Sequence, residues 1–392
     1  MNCFVTLYKE TQKQVCLVSE MEKLHLVSFN VPYPPNYGGI IDVFYKIKSL
    51  HRAGVGIILH CFSYGRQHAK ELEEFCEKVF YYDRLSGMKF FLRKPPYIVA
   101  TRTSNTMPKN LLSDNHPVLF EGLHTTAMLE SCRKAGKFSM VRTHNIEHNY
   151  YLQLSRSERN FFSKTYLRME SNKLKRYENI LSDADSILAI SKTDTRYFQN
   201  HYGNAHFIPA FHQYDKISVP SGKGDFILVH GNLAVPENKR SVLFLIRNIL
   251  SKISNYRVII AGKNPGRLLE NRCNKYPHIE LYPNPDNTAM EDLVREAHIN
   301  LLYTAQPTGL KLKLLHSLYA GRHCIANPLM VSGSGLDELC HLFNMPSQAI
   351  QLIEQLMQQP VPNDEIELRS RVLADFDTDT SARKIIDLMD RI

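Results

Sequence analysis

The 392-residue sequence lacks any uncharged apolar run approaching the roughly 20 residues that a membrane-spanning helix needs. Its N-terminal stretch also lacks the long apolar core of a signal peptide. The expectation is a cytoplasmic chain, neither exported nor anchored by a span. Residues 1–22 precede the first strong strand pattern and are read as an N-terminal extension, either loosely held or an upstream-start artefact. The eight cysteines, Cys3, Cys16, Cys61, Cys76, Cys132, Cys273, Cys324 and Cys340, include no CxxC pair, which argues against a zinc site and against a disulfide framework. Reduced thiols are the simplest account of them. No nucleic-acid-binding motif, no GxGxxG and no HExxH pattern is present, and no segment is of low complexity.

What is there describes an ordinary globular protein, 43% hydrophobic and 22% charged. Its length suits two α/β domains of somewhat under about 200 residues each. Short Val-, Ile- and Leu-rich runs alternate with helical stretches at 24–30, 56–62, 118–121, 140–143 and 186–190, and again at 226–231, 257–262, 279–282, 299–303 and 324–327. Buried strands alternating with helices predict two parallel, doubly wound Rossmann-like sheets. The stretch 209–224 is dense in Pro, Gly and polar residues, as a linker would be. The expected domains are therefore 23–214 and 215–375, facing each other across a cleft, with 376–392 as a helix returning to the first domain. The stretch 152–181 reads as one or two amphipathic helices. The net charge of +9 suits a phosphate-rich ligand, an anionic membrane surface or nucleic acid, and charge alone does not choose among them.

Candidate chemistry lies at strand ends. Gly38 and Gly39 precede an amphipathic helix, and the pair either admits an anion or sugar or simply makes a tight turn. After the run 299–303, Thr308 and Gly309 are expected at a helix N-terminus, with Lys311 and Lys313 either available to neutralise a diphosphate or simply solvated flank residues of a core helix. Two residues apart, both lysines are not expected on one helix face. Two more loops of the same half, bearing Gly231, Asn232 and Glu237, and Gly262 and Lys263, suit phosphate or sugar contacts. In the first half, Glu121, His124, His144, Asn145, Glu147 and His148 follow buried strands and offer acid-base or hydroxyl-orienting groups, or structural hydrogen bonds. His144 and His148 have the spacing of a metal pair but no third ligand, so no metal site is expected. The segment 88–102 is basic and aromatic, either a membrane or lipid contact or a buried connector with a basic rim.

Taken in order, the Gly38-Gly39 loop, the segment Arg142-Thr-His-Asn-Ile-Glu147, the segment Ala184-Asp-Ser-Ile-Leu-Ala-Ile-Ser191, the loop from Gly231 to Glu237 and the stretch 308–322 resemble a family 4 type glycosyltransferase of the bacterial surface-polysaccharide and glycoconjugate branch. The likeness covers most of 23–375. It implies a GT-B fold, an acceptor-side first domain, a donor diphosphate on the second, no essential divalent metal or other cofactor, and transfer with retention of configuration. The family's phosphate-binding Arg and Lys correspond here to Asn232 and Asn238, which moves the phosphate burden to Lys313, a match to the lysine of a related branch. The family's two glutamates eight positions apart correspond to Thr308 and His316, so ribose contact falls to His316 or a neighbour. His124, with Glu121 as the alternative in the same loop, is the choice for the histidine the family places near the reacting sugar.

The resulting expectation is a retaining, metal-independent hexosyltransferase using a UDP- or GDP-type sugar donor and a glycan or lipid-linked acceptor. It would work in the cytoplasm, with possible peripheral contact to the inner face of the membrane and no nucleic-acid partner. The alternatives are a non-catalytic nucleotide-sugar-binding protein of the same shape and a nucleotide-sugar epimerase.

Overall fold

The computed structural model describes residues 22–158, 160–306 and 311–390. Strands β1 (Lys23–Ser28), β2 (Gly56–Ser63), β3 (Lys78–Asp83), β4 (Val118–Glu121), β5 (Ser139–Thr143), β6 (Ser186–Ala189) and β7 (Ala205–Phe207) form one sheet in the order β3-β2-β1-β4-β5-β6-β7. Strands β8 (Phe226–His230), β9 (Arg257–Gly262), β10 (Ile279–Pro283), β11 (Ile299–Leu302), β12 (His323–Ala326) and β13 (His341–Leu342) form a second, in the order β10-β9-β8-β11-β12-β13. Every pairing is parallel. This is the α/β architecture of two doubly wound sheets that the alternating pattern predicts. Strand order reverses between β1 and β4 and between β8 and β11, and the crevices beside the strand ends at such points are where open α/β sheets bind ligands.

The central strands are covered on both faces, which is why their sequences are almost continuously apolar. On one face of the first sheet Leu24, Leu26, Leu59 and Leu119 pack with Val43, Ile47 and Leu50 of helix α1 (Gly38–Arg52). On the other, Val27, Phe120 and Val141 pack with Leu174. The 152–181 stretch becomes two antiparallel neighbours, α2 (Glu147–Ser157) and α3 (Phe161–Tyr177), the second capped by Asn160 accepting from Ser163 N at 3.0 Å. In the second half α4 (Pro236–Asn248) follows β8 and α5 (Leu312–Ala320) follows β11.

Strands β3, β7 and β13 carry weak signals in the sequence. β3 is a partly exposed edge, and β7 and β13 have only three and two residues. The segment after β7 is tied to both halves: Phe211 N donates to Asp42 Oδ1 at 2.8 Å and Ser218 N to Tyr319 O at 2.8 Å. The last helix, α6 (Thr378–Met389), is capped by Asp377 and inserts Ala382, Ile385, Leu388 and Met389 into the core of the first half. Arg52 of α1 binds Asp379 at 2.6 Å and Asp215 at 3.1 Å.

Candidate active site

A cleft of about 360 Å³ lies between the two sheets. Its first wall begins with Gly38 and Gly39, which form the opening turn of α1 rather than preceding it. A Cβ at Gly39 would lie 2.8 Å from the Phe29 ring, so a glycine lets the helix start close against β1. One turn on, α1 turns Asp42 and Lys46, four residues apart, inward where an amphipathic helix would ordinarily place apolar groups. Both are buried. Lys46 Nζ donates to Asp42 Oδ2 at 3.1 Å and to Glu121 Oε1, at the end of β4, at 2.6 Å. Arg142, on β5, donates to Asp42 Oδ1 at 2.9 Å and also to the Ile208 and Pro209 carbonyls. His144 Nε2 completes the cluster, 3.1 Å from Asp42 Oδ2 and 3.5 Å from Glu121 Oε2.

Two carboxylates, Asp42 and Glu121, face the Lys46 ammonium and the Arg142 guanidinium, so each buried charge of the cluster has an opposite partner. Burial opposes ionisation of Asp42, but Arg142, Lys46 and His144 outweigh it and hold that carboxyl well below the usual range. Glu121 is therefore committed to Lys46, and its Oε2 has no hydrogen-bond partner among the described residues.

The histidines sort themselves by these contacts. His144 lines the cleft, whereas His124 does not line it among the described residues. His124 sits behind, its ring 5.6 Å from that of Phe29, and burial together with Arg102 and His144 pushes its pKa well below the ordinary value. Gly122 has φ +73°, and a Cβ there would lie 2.7 Å from His124 Nδ1. His148 turns away to Glu178 at 2.9 Å, which Tyr197 also approaches at 2.7 Å, so His144 and His148 do not share a centre. Asn145 lines the cleft. Glu147 is buried at the start of α2, where burial raises its carboxyl to about 7 despite a hydrogen bond from Asn145.

The second wall is made by α4 and α5. Glu237, in the first turn of α4, accepts from Thr304 Oγ1 at 2.7 Å, and Thr304 is locked to Asn327 by paired backbone and side-chain bonds of 3.0 and 2.8 Å. Thr308 and Gly309 lie outside the described residues. Helix α5 starts at Leu312 with Lys311 as an extended N-cap residue, later than the sequence pattern suggested. That corrects the expectation about the lysines: because Lys311 is not helical, two-residue spacing leaves both Lys311 and Lys313 lining the cleft. Burial lowers both ammonium groups to about 8, opposed in each by Glu237.

His316 lies one turn further along α5, lowered to about 4 by burial, and its Nε2 is buried with no hydrogen-bond partner among the described residues. His230 and Ser317 stand beside it, 3.5 Å apart. Gly262 lets β9 approach the loop after β8, since a Cβ would come within 1.9 Å of the Gly231 carbonyl oxygen. Asn238 Nδ2 donates to the Asn232 carbonyl at 2.9 Å, shaping that loop. Gly231, Asn232, Gly262 and Lys263 are not among the described residues that line the cleft. Arg322, the last residue of the motif stretch, is structural, donating to the carbonyls of Arg295, Glu296 and Ser221.

Sequence reasoning missed Asp42, Lys46 and Thr304. The signal for the first two was a pair of opposite charges at i and i+4 on the apolar stripe of α1. A larger cavity of about 1190 Å³ adjoins the cleft, sharing Tyr150, Val235, Glu237 and Gln306 with it. Its apolar lining includes Leu154, Leu167, Leu243 and Phe244, with Arg156 and Arg240 on its border.

No family model matches the chain. It is 25% identical over 334 residues to an uncharacterized 44.6 kDa protein in the cps region of Klebsiella pneumoniae, a match covering 80% of this chain and 85% of that protein. Trehalose-6-phosphate synthase OtsA superposes with a TM-score of 0.64 at 12% identity, over 95% of this chain and 99% of that one. The chain has the GT-B fold. A second GT-B neighbour, the lipopolysaccharide outer core galactosyltransferase WaaB in its apo form, gives a TM-score of 0.60 at 15% identity over 92% and 99% of the two chains. The GT-B arrangement explains why the Asp42 cluster and the lysine pair, far apart in sequence, meet across one cleft. Among the described residues no helix is long and apolar enough to cross a membrane.

Proposed function

We propose that this chain is a glycosyltransferase that moves a hexose-type sugar from a UDP- or GDP-type donor to a glycan or lipid-linked acceptor, with retention of configuration and without a divalent metal. The observation that carries the reading is the pair of half-buried lysines, Lys311 and Lys313, on one wall of an interdomain cleft whose other wall holds His144 on Asp42. When the bond from the anomeric carbon to the diphosphate oxygen breaks, negative charge grows on the departing diphosphate. Two ammonium groups in a low-dielectric cleft stabilise it, supplying the positive charge that a metal supplies elsewhere. The acceptor oxygen forms the new bond to the anomeric carbon, and its proton passes to the departing diphosphate.

The buried Nε2 of His316, which has no hydrogen-bond partner among the described residues, suits a ribose hydroxyl, and Lys313 the diphosphate. His144, held by Asp42, is better exposed to a sugar than His124. The adjoining 1190 Å³ cavity has room for a large, partly apolar acceptor. The cps-region relative and the likeness to the lipopolysaccharide outer core galactosyltransferase WaaB support a role in surface polysaccharide or glycoconjugate synthesis, in the cytoplasm at the inner face of the membrane.

Thermal-shift measurements with UDP, GDP and their sugar conjugates in EDTA test this. A nucleotide at about a hundredfold over its Kd stabilises by roughly 2.7 kcal/mol. One base should raise the Tm, and Lys313→Ala should weaken that shift by at least about tenfold in ligand concentration. No shift with any nucleotide would favour the non-catalytic reading. Sugar inversion without an acceptor would favour the epimerase.

A further inference from the structure

The segment 88–102, read from the sequence as either a membrane or lipid contact or a buried connector with a basic rim, divides in the structure. Its second half is interior: Ile98, Val99 and Ala100 are buried, and Arg102 is spent on the carbonyls of Phe29 and Ile98 at 2.9 and 2.7 Å. Its first half lies on the surface against α3. Phe91 O accepts from Lys173 Nζ at 2.6 Å, the Phe91 ring meets Tyr166 edge-on at 5.2 Å, and Tyr97 N donates to Glu170 at 2.7 Å. This leaves Met88 83% and Leu92 91% exposed beside the helix.

The outward face of α3 is equally unusual. Phe161 is 73% exposed and Phe162 82%, with Met169 on the same side two turns along. Exposed Lys164, Arg168, Lys175 and Arg176 stand among them. The only acid in α3 is Glu170, which is buried and paired with Lys173. The segment 88–94 adds Lys89, Arg93 and Lys94 and contains no acid. Large exposed side chains interspersed with cations, without compensating carboxylates, match one kind of surface: an acyl layer under anionic headgroups.

We infer that α3 and the segment 88–94 form a docking face for an anionic lipid bilayer, with Phe161 and Phe162 entering the interface and the lysines and arginines meeting the headgroups. The placement deepens the proposed function and rests on it only for its purpose. Leu167 of the same helix lines the large cavity beside the cleft, so docking through α3 would bring that cavity near the lipid surface. A lipid-linked acceptor could then reach the cleft without leaving the bilayer.

The test is flotation of the full chain with phosphatidylcholine vesicles containing about one-third phosphatidylglycerol, at low salt and without any sugar donor. The native protein should float with these vesicles, not with pure phosphatidylcholine, and should be released as salt rises. The double variant Phe161→Ser/Phe162→Ser should lose at least about tenfold in vesicle affinity. Lys164→Glu/Arg168→Glu should lose a similar amount and flatten the salt dependence. Absence of flotation, or equal flotation of the Phe variant, overturns the proposal. Concentration-dependent self-association abolished by the same Phe variant, with no vesicle binding, would assign the face to a second copy and also overturn it. Nucleotide thermal shifts of the Phe variant should match the native protein, so failure of docking and failure of the donor site read out separately.

Discussion

Lys311 and Lys313 are charged below about pH 8 and lose their protons as pH rises through it, because burial favours the neutral amine. A bound diphosphate favours the ammonium form and raises both values again. Donor binding should therefore weaken above about pH 8 and take up protons there, while binding well below that pH should be proton-neutral at these two groups. Calorimetry in buffers of different ionisation enthalpy measures that uptake, and its absence above pH 8 would separate the lysines from the phosphates. The residue types and positions of this pair were legible in the sequence. Their common orientation was not, since it depends on α5 beginning only at Leu312.

Four elements converge on Asp42: its own helix α1, strand β5 through Arg142, the turn after β5 through His144, and the connecting segment through Phe211 N. Removing that carboxylate leaves Arg142 and Lys46 buried without a full complement, a situation that typically costs about 3–5 kcal/mol. Asp42→Ala should lower stability to urea by about that amount. Adding Arg142→Met should restore part of it, giving a double variant less destabilised than the sum of the singles. Additive losses would mean that the pair is not coupled. The sequence displayed Arg142 inside a recognisable segment and Asp42 and Lys46 inside a helix, but a salt bridge across 100 residues has no local signature.

The two halves are joined twice, once through the segment after β7 and again through α6, which packs into the core of the first sheet. Ile385 is fully buried there among residues of β1, β2 and α1. Ile385→Ala should cost about 2–5 kcal/mol. Hydrogen exchange should locate the loss, with amides of β1 and β2 exchanging faster and those of β8 and β9 unchanged. Equal loss in both sheets would show that the halves unfold as one cooperative unit.

The sequence by itself determined the architecture. Continuous Val, Ile and Leu runs between helical stretches can be buried only as doubly covered parallel strands, and ten of them in two series suffice for two sheets. It also marked the strand ends from which Gly38, His144, Glu237 and Lys313 come, because glycine, charge and histidine stand out where apolar periodicity stops. Of the edge strands, β10 was legible, whereas β3, β7 and β13 escaped notice, being short or half-exposed. Only the tertiary structure decided which strand-end residues face the cleft. It turned His144 outward and His124 behind it, committed Glu121 to Lys46, and brought Lys311 alongside Lys313. Those choices follow from pairing buried charges at minimum cost across distant segments, and no periodicity along the chain records them.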